Sequence, residues 1–142
     1  SVLNYVATWS DVIGETAPQL AMLLLQNGAD LERDDAQDLW FTPLHNAVAN
    51  GASELVAVML DFQPKAINLT TGDGRQPLHV LALCDDPDDR LATLDVLLRT
   101  RRHGEQTFAP DLSFAEPFCG NTALHVFAKE GYVWGSQRLN HP

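Results

Sequence analysis

The stretch TPLHNAVANG at residues 42–51 decides how this sequence folds. Thr42 is a favourable N-cap residue, and Pro43 suits the first helical position because no backbone N–H donor is needed there. Gly51 suits the end of a helix, where a left-handed backbone conformation is favoured. The apolar run LVAVML follows at residues 55–60, with the spacing of a buried helix face. The stretch therefore predicts two short helices separated by a glycine turn.

The same pattern returns along the chain. QPLH occurs at residues 76–79 and TALH at residues 122–125, so the equivalent histidines lie 34 and then 46 residues apart. An earlier copy of the second run, LAMLLLQNGAD, occupies residues 20–30. Residues 3–13 are compatible with a first helix that precedes it, where Trp9 is expected to cap the stack. Fixed spacing of this kind predicts repeated helix pairs whose apolar faces are buried by stacking.

The repeated T-P-L-H signature, followed by a glycine and a leucine-rich helix, resembles the ankyrin repeat. The resemblance implies an all-α fold: an ankyrin-repeat solenoid of stacked helix-turn-helix units joined by β-hairpin-like connectors. It implies a single domain over residues 1–142, with two central repeats, a degenerate N-terminal one and a C-terminal one that is incomplete or degenerate. The predicted repeats span approximately residues 3–35, 38–70, 72–110 and 118–142.

The composition restricts the classes of partner. Nine Lys and Arg face nineteen Asp and Glu, a formal net charge of -10. This balance argues against direct nucleic-acid binding and against an anionic membrane surface, both of which need basic residues. No apolar run approaches the roughly 20 residues of a membrane-spanning helix. Two cysteines do not make a disulfide framework, which favours a reducing, intracellular location in the cytoplasm or nucleus, or in a host cell for a pathogen effector.

The residues that could carry catalysis or bind a metal fit structural roles instead. His45, His79 and His125 occupy equivalent repeat positions, where the resemblance implies local hydrogen bonds that hold the turn between repeats. Cys84 and Cys119 lack the closely spaced partners of a zinc site. No nucleophile elbow, zinc-protease motif or P-loop is present. The sequence therefore predicts no enzyme activity, no metal and no cofactor.

Two kinds of side chain leave alternatives open. The acidic clusters at residues 34–38 and 85–89 are solvated loops or patches for a basic partner. Trp40 and Phe41 either anchor a partner or pack beneath their connector, and the phenylalanines of the insertion at residues 101–118 face the same choice.

The predicted function is a non-catalytic protein-binding module that uses its concave face and connector loops. The alternative is a targeting or regulatory ankyrin segment of a larger enzyme, channel or secreted pathogen effector. The partner is predicted to be a protein, and a basic segment is the feature that the acidic composition would favour in it. Together with the aromatic Trp40, the residues at the family's variable contact positions are the predicted binding residues: Leu39, Trp40, Phe41, Asn50, Thr70, Asp73, Arg75, Phe118, Asn121, Lys129 and Glu130.

Overall fold

The structure is a computed structural model that describes residues 2–29, 31, 41–72, 74–112, 120, 122 and 125. These residues are mostly helical, as the sequence predicts. The α-helices are α1 Val2–Thr8, α2 Ser10–Ile13, α3 Thr16–Gln26, α4 Pro43–Ala49, α5 Ser53–Phe62, α6 Pro77–Val80 and α7 Pro87–Leu98. The 3-10 helices are Pro64–Asn68 and Leu81–Leu83, and the strands are β1 Arg101–His103 and β2 Gln106–Phe108.

Helix α4 begins and ends where the sequence predicts. Thr42 is its N-cap, in an extended conformation, and the Thr42 side chain accepts a hydrogen bond from the backbone N–H of His45. Pro43 takes the first helical position. Gly51 follows the helix with φ +69°, the left-handed conformation that glycine adopts without strain. The N-cap, proline and glycine signals were therefore sufficient to set the bounds of this helix.

The helices pack in two rows. In the first row α4 lies between α1 and α6, and in the second α5 lies between α3 and α7. Contacts between α1 and α3, between α4 and α5, and between α6 and α7 join the rows into pairs. The apolar stripes of paired helices face each other, because each short helix is too small to bury its own apolar side chains.

The core lies between these rows. Leu44 and Leu60 from the central pair are completely buried. Leu3 and Leu25 extend the core towards the N-terminus, and Leu97 extends it towards α7. Burial of the leucine-rich runs is the main stabilising contribution, at about 25 cal/mol per Å² of apolar surface.

The segment after α7 is a β-hairpin. Strand β1 pairs antiparallel with β2, so that Arg101 lies opposite Phe108 and Arg102 opposite Thr107. Gly104 makes the turn with φ +66°. The hairpin forms the start of the insertion at residues 101–118. Among the described residues, no helix is both long enough and apolar enough to cross a membrane.

Candidate partner-binding surface

The equivalent histidines tie each helix start to its surroundings. His45 is completely buried, and its Nε2 donates to the backbone carbonyl of Leu69 at 3.0 Å, which can only accept. With the proton on Nε2, Nδ1 accepts from the Thr42 hydroxyl at 2.6 Å. His79 Nδ1 accepts from the backbone N–H of Gln76 at 3.3 Å, and His125 Nδ1 accepts from that of Thr122 at 3.1 Å. The prediction of local hydrogen bonds is confirmed for all three.

Only part of the predicted binding set can be placed. Phe41, Asn50, Thr70 and Arg75 are described by the structure. The remaining predicted binding residues lie outside the described residues: Leu39, Trp40, Asp73, Phe118, Asn121, Lys129 and Glu130.

The expectation that Phe41 is an exposed anchor is wrong. The Phe41 side chain is 8% exposed and belongs to the main apolar cluster. Its ring lies against the imidazole of His45, with centroids 5.9 Å apart and planes tilted by 45°. Phe41 packs here because it immediately precedes the capping residue Thr42, so its ring covers the buried start of α4. It therefore stabilises the helix start and is not available to a partner.

Asn50 has a structural contact as well as an exposed surface. Its side-chain Nδ2 donates to the backbone carbonyls of Ala7 at 2.8 Å and Thr8 at 3.0 Å. One turn earlier, Asn46 Nδ2 donates to Asn4 Oδ1 at 2.8 Å. Two amides at i and i+4 thus connect α4 to the first helix, and the Asn50 contacts occupy carbonyls at the end of α1 that have no partner within the helix.

Thr70 and Arg75 flank the turn that precedes α6. The backbone N–H of Thr71 donates to the carbonyl of Arg75 at 2.8 Å, and the N–H of Arg75 donates to Thr71 Oγ1 at 3.0 Å. Thr70 is exposed and Arg75 is half-buried. The turn therefore presents Thr70 on an ordered backbone, as a connector that contacts a partner would need.

The acidic segment at residues 85–89 is not wholly a loop. Asp86 is the N-cap of α7, and its Oδ1 accepts from the backbone N–H groups of Asp88 at 2.9 Å and Asp89 at 3.2 Å. Asp88 and Asp89 lie in the first turn, where negative charge interacts favourably with the helix dipole. Three of the four aspartates in this cluster therefore have a structural role at the start of α7. The other predicted cluster, at residues 34–38, lies outside the described residues.

An open groove of about 330 Å³ lies beside the turns that join the helices of successive pairs. Its walls include residues of the α2–α3 turn, the α4–α5 turn and the start of α7. Its floor includes apolar side chains, and none of the described residues that line it is Lys, Arg or His. The acidic groove is defined by these carboxylates and apolar residues: Asp11, Glu15, Glu54, Asp89, Ala17, Pro18 and Leu55.

The groove can accept a cationic chain with an apolar stem. Four carboxylates around one opening attract positive charge, and apolar groups on the floor would pack against the methylenes of a lysine or arginine side chain. Asp11, Glu15, Glu54 and Asp89 are all exposed, so these charges are screened by salt over about 10 Å at 0.1 M. The arrangement is suited to recognition of a cationic segment.

Three of these carboxylates, Asp11, Glu15 and Glu54, were not predicted from the sequence. A weak signal does exist, because each lies at the start of a helix. Asp11 lies in the first turn of α2, Glu15 precedes α3, and Glu54 lies in the first turn of α5. The helix dipole favours acidic residues there for stability alone. Stacking the helix pairs then brings these carboxylates to one edge.

The hairpin packs on the body of the protein. Phe108 is half-buried and packs against the main apolar cluster. Of the two alternatives for this side chain, contact with a partner or packing on the protein, the structure favours packing. Arg101 Nε lies 3.1 Å from Asp61 Oδ1, and Asn68 Nδ2 donates to the carbonyl of Ala109 at 3.1 Å. The described part of the insertion is therefore anchored by both apolar and polar contacts. Phe114 lies outside the described residues.

Cys84 is the buried thiol of the α6–α7 connection. Burial raises its pKa above the ordinary value, because a thiolate would lose hydration there. The thiol therefore stays protonated near neutral pH and is a poor nucleophile. Among the described side chains, no group of three or more His, Cys, Asp or Glu could hold a metal ion.

No protein-family model matches the chain, and no curated protein matches its sequence.

Proposed function

We propose that this chain is a non-catalytic protein-binding module of the ankyrin-repeat type. Two features of the described residues support the proposal. The helices alternate between two rows, with like helices stacked on one another. In each of the three equivalent histidines, Nδ1 also accepts a hydrogen bond from the residue three positions earlier. Repeated units of this kind build an extended surface rather than a closed active-site cavity.

The acidic groove is the observation that carries the function. It crosses two successive helix pairs and reaches Asp89 at the start of a third. A partner that fits it is a peptide segment or protein loop with lysine or arginine side chains spaced along it. The net charge of -10 adds long-range attraction, which speeds encounter with such a partner.

The test compares two charge-matched variants. The groove variant carries Glu15→Gln and Glu54→Gln, and the control carries Asp95→Asn and Glu105→Gln, which are exposed and do not line the groove. The probe is the best-binding peptide from an array of lysine- and arginine-containing sequences, and fluorescence anisotropy gives Kd. We expect the groove variant to bind about 5- to 30-fold more weakly, because each of the two lost ion pairs contributes about 0.5–1 kcal/mol.

The control should bind within about twofold of the wild type, since distant exposed charges are largely screened by salt. Equal losses of affinity in both variants would show that only the net charge attracts the peptide. A failure of every peptide in the array to bind would contradict recognition of a basic segment.

A further inference from the structure

An apolar trough lies between α3 and α5, two neighbouring helices of the second row. It is open and holds about 430 Å³. No described residue that lines it is charged, and these residues are Pro18, Gln19, Met22, Leu23 and Val58. Leu23 is 58% exposed, and Pro18, Met22 and Val58 are half-buried. Neighbouring apolar side chains at an open surface indicate a place where another molecule binds.

The apolar trough is continuous with the acidic groove. Pro18, in the first turn of α3, lines both of them. Residues at i and i+4 share one face of a helix. Glu15 lies four residues before Gln19, and Glu54 lies four residues before Val58, so a carboxylate stands at the start of each wall of the trough. Because α3 and α5 both begin at the acidic groove, the trough leads away from it along the two helices.

We propose that the partner is an amphipathic helix whose basic end binds in the acidic groove and whose apolar face lies along the apolar trough. This inference rests on the proposed function, because the carboxylates of the groove select the basic end by charge complementarity. Two packed helices leave a groove between their ridges of side chains, into which a third helix fits. A helix bound in this way makes its contacts through apolar side chains three or four residues apart.

The length of the surface sets the length of the partner helix. Glu15 and Leu23 are eight residues apart, about 12 Å along a helix. Phe62, one turn beyond Val58 on α5, is 41% exposed and extends the apolar surface. A partner helix of about three turns therefore covers both parts of the surface. Met22 adapts to the shape of the partner's side chains, because a methionine side chain is unbranched and flexible.

The helix dipoles favour one direction of the partner helix. The N-termini of α3 and α5, which are the positive ends of their dipoles, lie at the acidic groove. A partner that places its C-terminus there brings the negative end of its own dipole to these positive ends. Lysine and arginine are also favoured in the last turn of a helix. We therefore expect the partner to run antiparallel to α3 and α5, with its basic residues at its C-terminal end.

Two synthetic peptides and two variants test the inference by fluorescence anisotropy. The amphipathic peptide has about 15 residues, with leucines along one helix face and lysines in its last turn. The contrast peptide has glutamine in place of each leucine. The trough variant carries Met22→Gln and Leu23→Gln. The control variant carries Leu91→Gln and Leu98→Gln, which are exposed on α7 and do not line the trough. Circular dichroism confirms that each variant is folded.

We expect the wild type to bind the amphipathic peptide about tenfold more tightly than the contrast peptide, a difference of about 1.4 kcal/mol. The trough variant should lose this difference and bind the contrast peptide as the wild type does, whereas the control variant should keep the difference. Added salt should weaken binding of the contrast peptide more, because salt screens charges and does not weaken apolar burial. A peptide with the reverse order of residues should bind more weakly than the amphipathic peptide.

Equal affinities of the wild type for the amphipathic and contrast peptides would overturn the inference. So would an equal loss in the trough and control variants. Self-association of the wild type that the trough variant abolishes would identify a second copy as the occupant and also overturn it. Equal binding of the reversed peptide would overturn the direction. The proposed function survives all of these results if the groove variant, Glu15→Gln with Glu54→Gln, still weakens binding of the contrast peptide, and it fails if that variant does not.

Discussion

Gly51→Ala is expected to destabilise the protein by about 3 kcal/mol, the sum of a left-handed alanine and an overpacked contact. An added Cβ would lie 2.7 Å from Cys84 Sγ and 2.7 Å from Asp89 Cβ. Neither neighbour can move freely, because Cys84 is buried and Asp89 Cβ is attached to the backbone of α7. Gly51 also has φ +69°, which disfavours any side chain. The measurement is urea unfolding followed by circular dichroism.

Gly104→Ala is the matched control. Gly104 has φ +66°, but an added Cβ there would meet no atom within 4 Å. Gly104→Ala should lower the free energy of unfolding by about 1 kcal/mol, the contribution of the left-handed backbone conformation alone. The difference between the two variants measures how closely the α4–α5 turn approaches the start of α7. Equal costs would mean that this close approach does not exist.

His45→Ala is expected to cost about 3 kcal/mol, because it leaves a cavity and removes partners from buried polar groups. The imidazole is completely buried and connects Thr42 Oγ1 to the carbonyl of Leu69, which lies 24 residues further along the chain. Loss of the imidazole removes the hydrogen bonds to the Thr42 hydroxyl at the helix cap and to the Leu69 carbonyl in the following connector. The free energy of unfolding, measured by urea titration, reports the effect.

His125→Ala provides the comparison within the same motif. His125 is exposed, although its Nδ1 accepts the same kind of bond from the residue three positions earlier. Its replacement should cost about 0.5 kcal/mol, as for an exposed hydrogen bond. A large loss at His125, or a small one at His45, would contradict the assignment of the buried imidazole as the connection between helix pairs.

Local signals in the sequence predicted the central helices well. Thr42, Pro43 and Gly51 set the bounds of α4 because capping and backbone preference act within a few residues. The next first helix is less regular. Helix α6 ends at Val80 and continues as the 3-10 helix Leu81–Leu83, and Asp86 is extended before Pro87 starts the next helix. The repeat pattern did not contain this local adjustment.

The candidate site was harder to predict, because it depends on packing between distant segments. Phe41 stands in a connector, where apolar residues suggest a partner, but the fold turns it onto His45. The acidic groove combines Asp11, Glu15, Glu54 and Asp89, which span most of the described chain. Each has a local reason at a helix start. Only stacking makes them neighbours, so no spacing rule in the sequence could group them.

The acidic groove depends on the stacking of like helices in two rows. Spin labels at Leu23 on α3 and Leu91 on α7, both exposed, test this stacking directly after Cys84→Ser and Cys119→Ser. Packed helix axes lie about 8–10 Å apart, so α5 between these helices should separate the labels by about 20–30 Å in pulsed electron paramagnetic resonance. One narrow distribution in that range is the predicted result. Labels at about 10 Å, the separation of helices in direct contact, would contradict the stack.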